Sequence, residues 1–314
     1  MKSALSPTLS ISSTATLETA GAIARLWNRA TAFFELTKAR LAVLVLLTVA
    51  VGFVLGARSN WRSEQTPSLL LTLVGIGLVA AGGGAWNQYL ERDRDSLMRR
   101  TASRPIPGGR VEPIEAAVFG TILAGAGLLI LGWGVRPLAA MIAFATFLLY
   151  AFVYTPLKTR TTLNTAVGAI PGALPPVIGW TAATGRLDFG ALALFLIVFL
   201  WQFPHFLAIA WIYRDDYARA GHKMLPCVDP AGAIVGRQAV FHALALLPVG
   251  LLPAVVGLSG PIYFLGALFL GVFYLIAAIR FRNNVNDFNA RKLLWASFVY
   301  LPIVLTLLVL NPAG

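Results

Sequence analysis

Nine apolar runs, each close to the length of a bilayer crossing, decide what this chain can fold into. They lie at about 41–57, 68–90, 114–134, 138–154, 163–182, 189–212, 238–257, 261–279 and 293–311. A helix needs about 20 apolar residues to cross the hydrocarbon core. In lipid, an open strand or loop would strand backbone N–H and C=O groups without partners. The pattern therefore predicts an all-α membrane protein with nine transmembrane helices. Composition agrees: 58% of the 314 residues are hydrophobic, 12% are charged, and the mean hydropathy is +0.75. A soluble domain carries about a quarter charged residues.

The net charge of +12 would suit a nucleic-acid partner only if it were gathered on one surface. It is spread over the short segments between spans. With nine spans and the N-terminus on the cytoplasmic side, all but four of the 25 Lys and Arg residues fall on inner segments. The exceptions are Arg58, Arg62, Arg136 and Arg186. This is the bias that orients membrane proteins, and it argues against nucleic acid. An even number of spans would break the alternation. The single cysteine, Cys227, permits no intrachain disulfide, and with three scattered histidines it argues against a structural zinc site.

Residues 1–30 are rich in Ser and Thr with little apolar periodicity. They read as a mobile tail ahead of a single domain over 31–314. They lack the apolar core of a secretory signal, although they carry arginine and few acids in the manner of a mitochondrial transit peptide.

Chemistry concentrates directly after the second span, in Asn87-Gln-Tyr-Leu-Glu91-Arg-Asp93-Arg-Asp95-Ser-Leu-Met-Arg99-Arg100-Thr-Ala-Ser-Arg104-Pro. Asn87, Glu91 and Asp95 stand at i, i+4 and i+8, so on a helix they form one polar stripe roughly 12 Å long. Oxygen ligands on one face suit a hard cation such as Mg²⁺, and Arg99, Arg100 and Arg104 suit phosphate oxygens. Topology alone accounts for the arginines. It does not account for three interleaved acids, which contribute little to orientation.

A second inner loop carries Asp215 and Asp216, which as neighbours cannot share a helix face; a solvated helix end explains them equally well. Between the two loops, Tyr154-Thr-Pro-Leu-Lys158-Thr-Arg160 leaves the fourth span. Tyrosine and lysine there are ordinary interfacial anchors, and beside a phosphate site Lys158 is also a candidate anion ligand. The fifth span holds Gly168, Pro171, Gly172, Pro175, Pro176 and Gly179, which predicts a bent or broken helix packed on protein or lining a cavity. His205, inside the sixth span, is open to haem ligation, cavity polarity or a hydrogen bond to a neighbouring helix.

Taken together, these stretches resemble the intramembrane aromatic prenyltransferases of the UbiA superfamily, over about residues 33 to 310. The resemblance runs through Leu36-Thr-Lys38-Ala39-Arg40, the Asn87-to-Pro105 stretch and Tyr154-to-Lys158. It continues through Asn164 to Gly185 with Pro175-Pro176-Val-Ile-Gly-Trp180, then Pro204-His205-Phe206 and Asp216-to-Pro226. It implies nine helices around a central cavity and a Mg²⁺-bound isoprenoid diphosphate. Within the superfamily the chain looks most like the members that move a farnesyl group from farnesyl diphosphate to a vinyl group of haem b, giving haem O.

On that resemblance, Asn87, Glu91, Asp95 and Lys158 are the catalytic candidates, with Asn87, Glu91, Asp95 and Asp216 as metal ligands. Lys38, Arg40, Arg99, Arg104 and Arg160 would contact the diphosphate. Tyr154, His205 and Tyr217 would face the acceptor, and haem b is a substrate rather than a cofactor. The implied setting is the lipid bilayer of a bacterial plasma (inner) membrane ahead of the mitochondrial inner membrane, with a downstream haem A synthase as partner. Three departures stand out. Glu91 replaces a usual aspartate, and Ala39 a usual proline. The second motif lacks a spaced acid pair, because Arg219 and Ala220 stand four residues beyond Asp215 and Asp216. The rival readings are the same fold with 4-hydroxybenzoate or a chlorin as acceptor, and a multi-pass transporter. A transporter should place its polar groups near mid-membrane rather than at one surface.

Overall fold

A computed structural model describes residues 11–58 and 62–313. Among them there is no strand, and nine helices are long and apolar enough to cross a membrane. Helix α1 (Ile11–Leu36) precedes the spans. The first three spans are α2 (Ala39–Ala57), α3 (Gln65–Asp95) and α4 (Pro113–Gly134). The fourth is composite: α5 (Pro137–Leu148) passes through a π-helical turn (Leu149–Tyr154) into the short α6 (Thr155–Leu157). Then come α7 (Asn164–Thr184) and α8 (Phe189–Ile212), followed by the short α9 (Arg214–Arg219) and α10 (Leu225–Val228). The last spans are α11 (Ala233–Val255), α12 (Pro261–Asn283) and α13 (Asp287–Leu310).

Each predicted span lies on one of these helices, and the largest differences come from polar helix ends. Hydropathy stops where charge begins, but the helix does not. At 31 residues, α3 is about 46 Å long at 1.5 Å per residue, against a hydrocarbon core of about 30 Å. It therefore carries Asn87, Glu91 and Asp95 on its own last turns. Side-chain caps set other boundaries. Asp188 Oδ1 accepts from Gly190 N and Ala191 N to start α8, and Asn286 Oδ1 accepts from Asn289 N to start α13.

The core forms two large apolar clusters and a smaller third in which Ala32 and Leu36 of α1 meet Ala85, Ile106, Val111 and Ala116. One of the large clusters joins α2, α3, α4, α5 and α7; the other joins α7 and α8 to α11, α12 and α13. Helix α7 belongs to both. Its backbone meets α2 directly, because a Cβ on Gly179 would sit 1.9 Å from Val49 O and one on Gly52 would sit 2.0 Å from Pro176 O. No side chain fits either position.

The expected break in α7 does not occur. The helix is continuous across Pro171, Pro175 and Pro176. Its prolines withhold the N–H groups that would meet Val167 O, Pro171 O and Gly172 O, and α8 adds a polar contact to the same helix, Gln202 Nε2 donating to Ala169 O at 3.1 Å. The segment read as a tail divides. Residues 1–10 lie outside the described residues, whereas 11–30 are helical and belong to α1.

Candidate active site

Five segments converge at the end of α3: the α1–α2 junction, α3 itself, the α3–α4 loop that carries Arg104, the turn from the π segment into α6, and the loop between α9 and α10. Each is fixed by polar contacts that its sequence makes possible. Gln88 Nε2 donates to Leu36 O at 3.3 Å, satisfying an end carbonyl of α1. Gly84 lets that turn approach, since a Cβ there would lie 2.9 Å from Leu36 O. Glu35 pairs with Arg110, Nη1 to Oε1 at 2.8 Å, and this contact holds its carboxyl below the usual range. The chain then turns at Lys38 in the left-handed region (φ 51°), and its ammonium reaches α3.

The stripe is assembled as its spacing predicts, and every member meets a cation. Lys38 Nζ donates to Asn87 Oδ1. Lys158 Nζ lies 2.8 Å from Glu91 Oε1. Arg104 Nη1 donates to Asp95 Oδ2 at 2.6 Å. Asn87 Nδ2 donates both to Glu91 Oε2 (3.0 Å) and to Thr155 Oγ1 (3.1 Å). Asn87, Glu91 and Asp95 are all buried. An unpaired buried carboxylate is costly, so removing a cation would strand its partner.

The cations differ. Burial, with Arg104 and Lys158 nearby, lowers Lys38 to about 7, although Glu91 and Asp95 favour its charged form. Burial opposes the charge on Lys158 too, but the Glu91 carboxylate, with Tyr154 and Tyr150, more than offsets it and holds the ammonium well above its usual range. Lys158 Nζ also sits 4.8 Å from the Tyr154 ring centre.

Beside this cluster lies a cavity of ≈ 340 Å³ lined by Glu91, Arg94, Thr159, Arg160 and His222, with Leu90 and Pro156 as apolar wall. The loop carrying His222 is docked on the α6–α7 connection. Lys223 N donates to Lys158 O at 2.6 Å, and Asn164 Nδ2 donates to Lys223 O at 2.9 Å. Burial pushes His222 down to about 4, so it is neutral near pH 7. The Arg100 guanidinium lies 5.3 and 5.9 Å from the rings of Tyr213 and Tyr217, joining the two inner loops.

The donor set fits a hard cation that also binds a phosphate group. Asp95 Oδ1 is buried without a hydrogen-bond partner among the described residues. Two carboxylates and one amide oxygen form an incomplete shell of the kind Mg²⁺ completes with water and phosphate oxygens. No group of three or more His, Cys, Asp or Glu side chains forms a metal site among the described residues.

The remaining candidates separate. Asp216, expected as a fourth ligand, is paired with Arg219, because the helical i, i+3 spacing brings those two together. Tyr154 lies under Lys158, and Tyr217 lies against Arg100 and edge-on to His222. Arg160 lines the cavity. Arg40 and Arg99 are exposed and make no ion pair or side-chain hydrogen bond among the described residues. His205 stands at the α8–α13 interface, its Nδ1 2.8 Å from Ser297 Oγ and its ring stacked on Trp201. Of the readings open for it, the structure supplies the hydrogen bond to a neighbouring helix.

Sequence reasoning did not single out Arg94, Thr155, Asn164 or His222. Arg94 follows Glu91 by three residues, so helical spacing carried its signal; the others depend on how distant loops dock.

Comparison with known proteins bears on the same region. The profile of the UbiA prenyltransferase family matches residues 37–301. The protoheme IX farnesyltransferase of Solibacter usitatus (strain Ellin6076) is 46% identical over 288 residues, covering 90% of this chain and 99% of that protein. That of Koribacter versatilis (strain Ellin345) is 42% identical, covering 89% and 92%. The mitochondrial protoheme IX farnesyltransferase of Arabidopsis thaliana is 36% identical, covering 89% of this chain and 64% of that protein. Among solved structures, digeranylgeranylglyceryl phosphate synthase superposes with a TM-score of 0.76 at 18% identity, covering 90% of this chain and 98% of that one. A UbiA homolog from Archaeoglobus fulgidus bound to DMAPP and Mg²⁺ gives 0.63 at 15%, covering 88% and 99%.

Proposed function

This chain belongs to the UbiA prenyltransferase family, and we propose that it moves a farnesyl group from farnesyl diphosphate to a vinyl group of haem b. The observation that carries the donor half is the buried stripe of Asn87, Glu91 and Asp95 with Lys38, Lys158 and Arg104 set against it. The acceptor half rests on relatives named for protoheme IX that match about nine-tenths of the chain.

Asn87 Oδ1, Glu91 and Asp95 would hold Mg²⁺. Its chemistry when bound is to neutralise charge on the leaving diphosphate. Lys38, Arg104 and Lys158 contact the stripe, and with a metal bound there they would be free to meet the phosphate oxygens. Arg94 and Arg160, on the neighbouring cavity wall, extend that positive field toward the aqueous end. Cations fixed in a site that excludes bulk water stabilise the charge that builds as the C–O bond breaks. The vinyl π electrons then form the new C–C bond to the allylic carbon, and water adds to the resulting cation with loss of a proton.

The charge bias supports an inner-facing site with the N-terminus inside and the C-terminus outside. We place the protein in a bacterial plasma membrane, with its product passed to a haem A synthase.

The test uses tritiated farnesyl diphosphate and haem b with purified protein. Label should enter the haem fraction with Mg²⁺ and not with EDTA. Equal labelling in EDTA would contradict the metal-assisted reading, and no labelling from folded protein with Mg²⁺ would contradict the reaction.

A further inference from the structure

Asparagine differs from the carboxylates of a metal-binding stripe, because its amide has two ends and only one is a ligand. Something must decide which end points where. Lys38 and Glu91 bear on it now, but both are groups that a metal and a phosphate would engage; the fourth span supplies a contact outside that set. Pro156 has no N–H to give, and the helix just before it is widened into a π turn. There Thr155 N–H bonds to Tyr150 O, and Thr155 Oγ1 donates to the same carbonyl at 2.9 Å.

A hydroxyl has one hydrogen. Once it is committed to Tyr150 O, Thr155 Oγ1 can only accept, and the donor it faces is Asn87 Nδ2 at 3.1 Å. The second hydrogen of that amide goes to Glu91 Oε2 at 3.0 Å. Asn87 Oδ1 is thereby aimed away from both, to where Lys38 Nζ meets it. We propose that Thr155 is the positioning residue that fixes the amide orientation of Asn87, so that an oxygen and not an NH₂ group faces the metal. The inference deepens the proposed function and rests on its metal site.

The orientation argument has a sharp consequence. It applies to asparagine, whose two ends differ, and not to aspartate, whose two ends are alike. Calorimetry would measure Mg²⁺ binding to the full-length protein in the presence of a thio-substituted farnesyl diphosphate that resists ionisation. Thr155→Val should weaken Mg²⁺ binding about tenfold, the order of one lost buried hydrogen bond, and Thr155→Ser should stay within about twofold of the parent. In an Asn87→Asp background, Thr155→Val should change Mg²⁺ affinity by less than about twofold.

An equal loss in both backgrounds would show a general packing role and overturn the proposal. So would unchanged binding in the parent background. Glu91→Gln and Asp95→Asn separate the levels. If they also bind Mg²⁺ normally, the site reading itself falls and takes this one with it. If they lose Mg²⁺ while Thr155→Val does not, only the orienting role falls.

Discussion

At the scale of single residues, the site is a set of ion pairs waiting for a different partner. Glu91 and Lys158 illustrate this, at 2.8 Å and both largely buried. Removing one partner of a buried pair leaves the other uncompensated, at a cost of about 3–5 kcal/mol. Lys158→Met should therefore lower both stability and turnover, while Lys158→Met with Glu91→Gln should regain thermal stability and remain inactive. Thermal unfolding beside a turnover assay checks this; a double variant no more stable than the single one would contradict the pairing. Glu91→Gln and Asp95→Asn should each reduce turnover about a hundredfold or more, read at a temperature where the variants remain folded, because each also leaves a cation without its carboxylate. Near-normal turnover in both would count against metal-assisted ionisation. The stripe was legible in the sequence because i, i+4, i+8 is a local helical pattern. Its cationic partners were only partly so: Lys38 and Lys158 reach α3 from other segments, and Arg40 and Arg99, equally basic in sequence, do not join.

At the scale of elements, what positions the site is how closely backbones approach and where a helix changes pitch. The α2–α7 contact is one such device. Gly179→Val would drive side-chain atoms into Val49 O and should destabilise by about 1–3 kcal/mol or more. Gly125 is a control, since a Cβ there meets nothing within 4 Å. Gly125→Ala should be neutral or stabilise by up to about 1 kcal/mol, from helix propensity. Equal effects at both glycines, in a detergent thermal-shift series, would contradict the close-approach account. Hydropathy found all nine spans, because length and apolar content are local properties. It could not show that α3 continues into its charged end, that α7 stays helical through three prolines, or that the fourth span widens before Pro156. None of those outcomes is a matter of apolar content, so hydropathy does not register them. Residues 11–30 were missed as helix because their Ser- and Thr-rich composition does not read as an apolar span.

At the scale of the whole molecule, the charge bias is the basis for the proposal that the site faces the inner surface. The orientation can be tested in a Cys227→Ser background. A cysteine at Arg186 should react with a membrane-impermeant maleimide from outside the cell. One at Arg99 should react only after permeabilisation. The reverse pattern would overturn the topology. Fold and donor chemistry were legible at this scale, from nine spans and one polar stripe. The acceptor was not written in any geometry of the site, and His205, its most suggestive residue, is hydrogen-bonded between α8 and α13. The central claim is therefore tested most directly by offering two acceptors at once. Purified protein with Mg²⁺ and farnesyl diphosphate is incubated with equimolar haem b and 4-hydroxybenzoate, and products are identified by mass spectrometry. The account predicts farnesylated, hydrated haem and unchanged 4-hydroxybenzoate; prenylated 4-hydroxybenzoate with unmodified haem would contradict it.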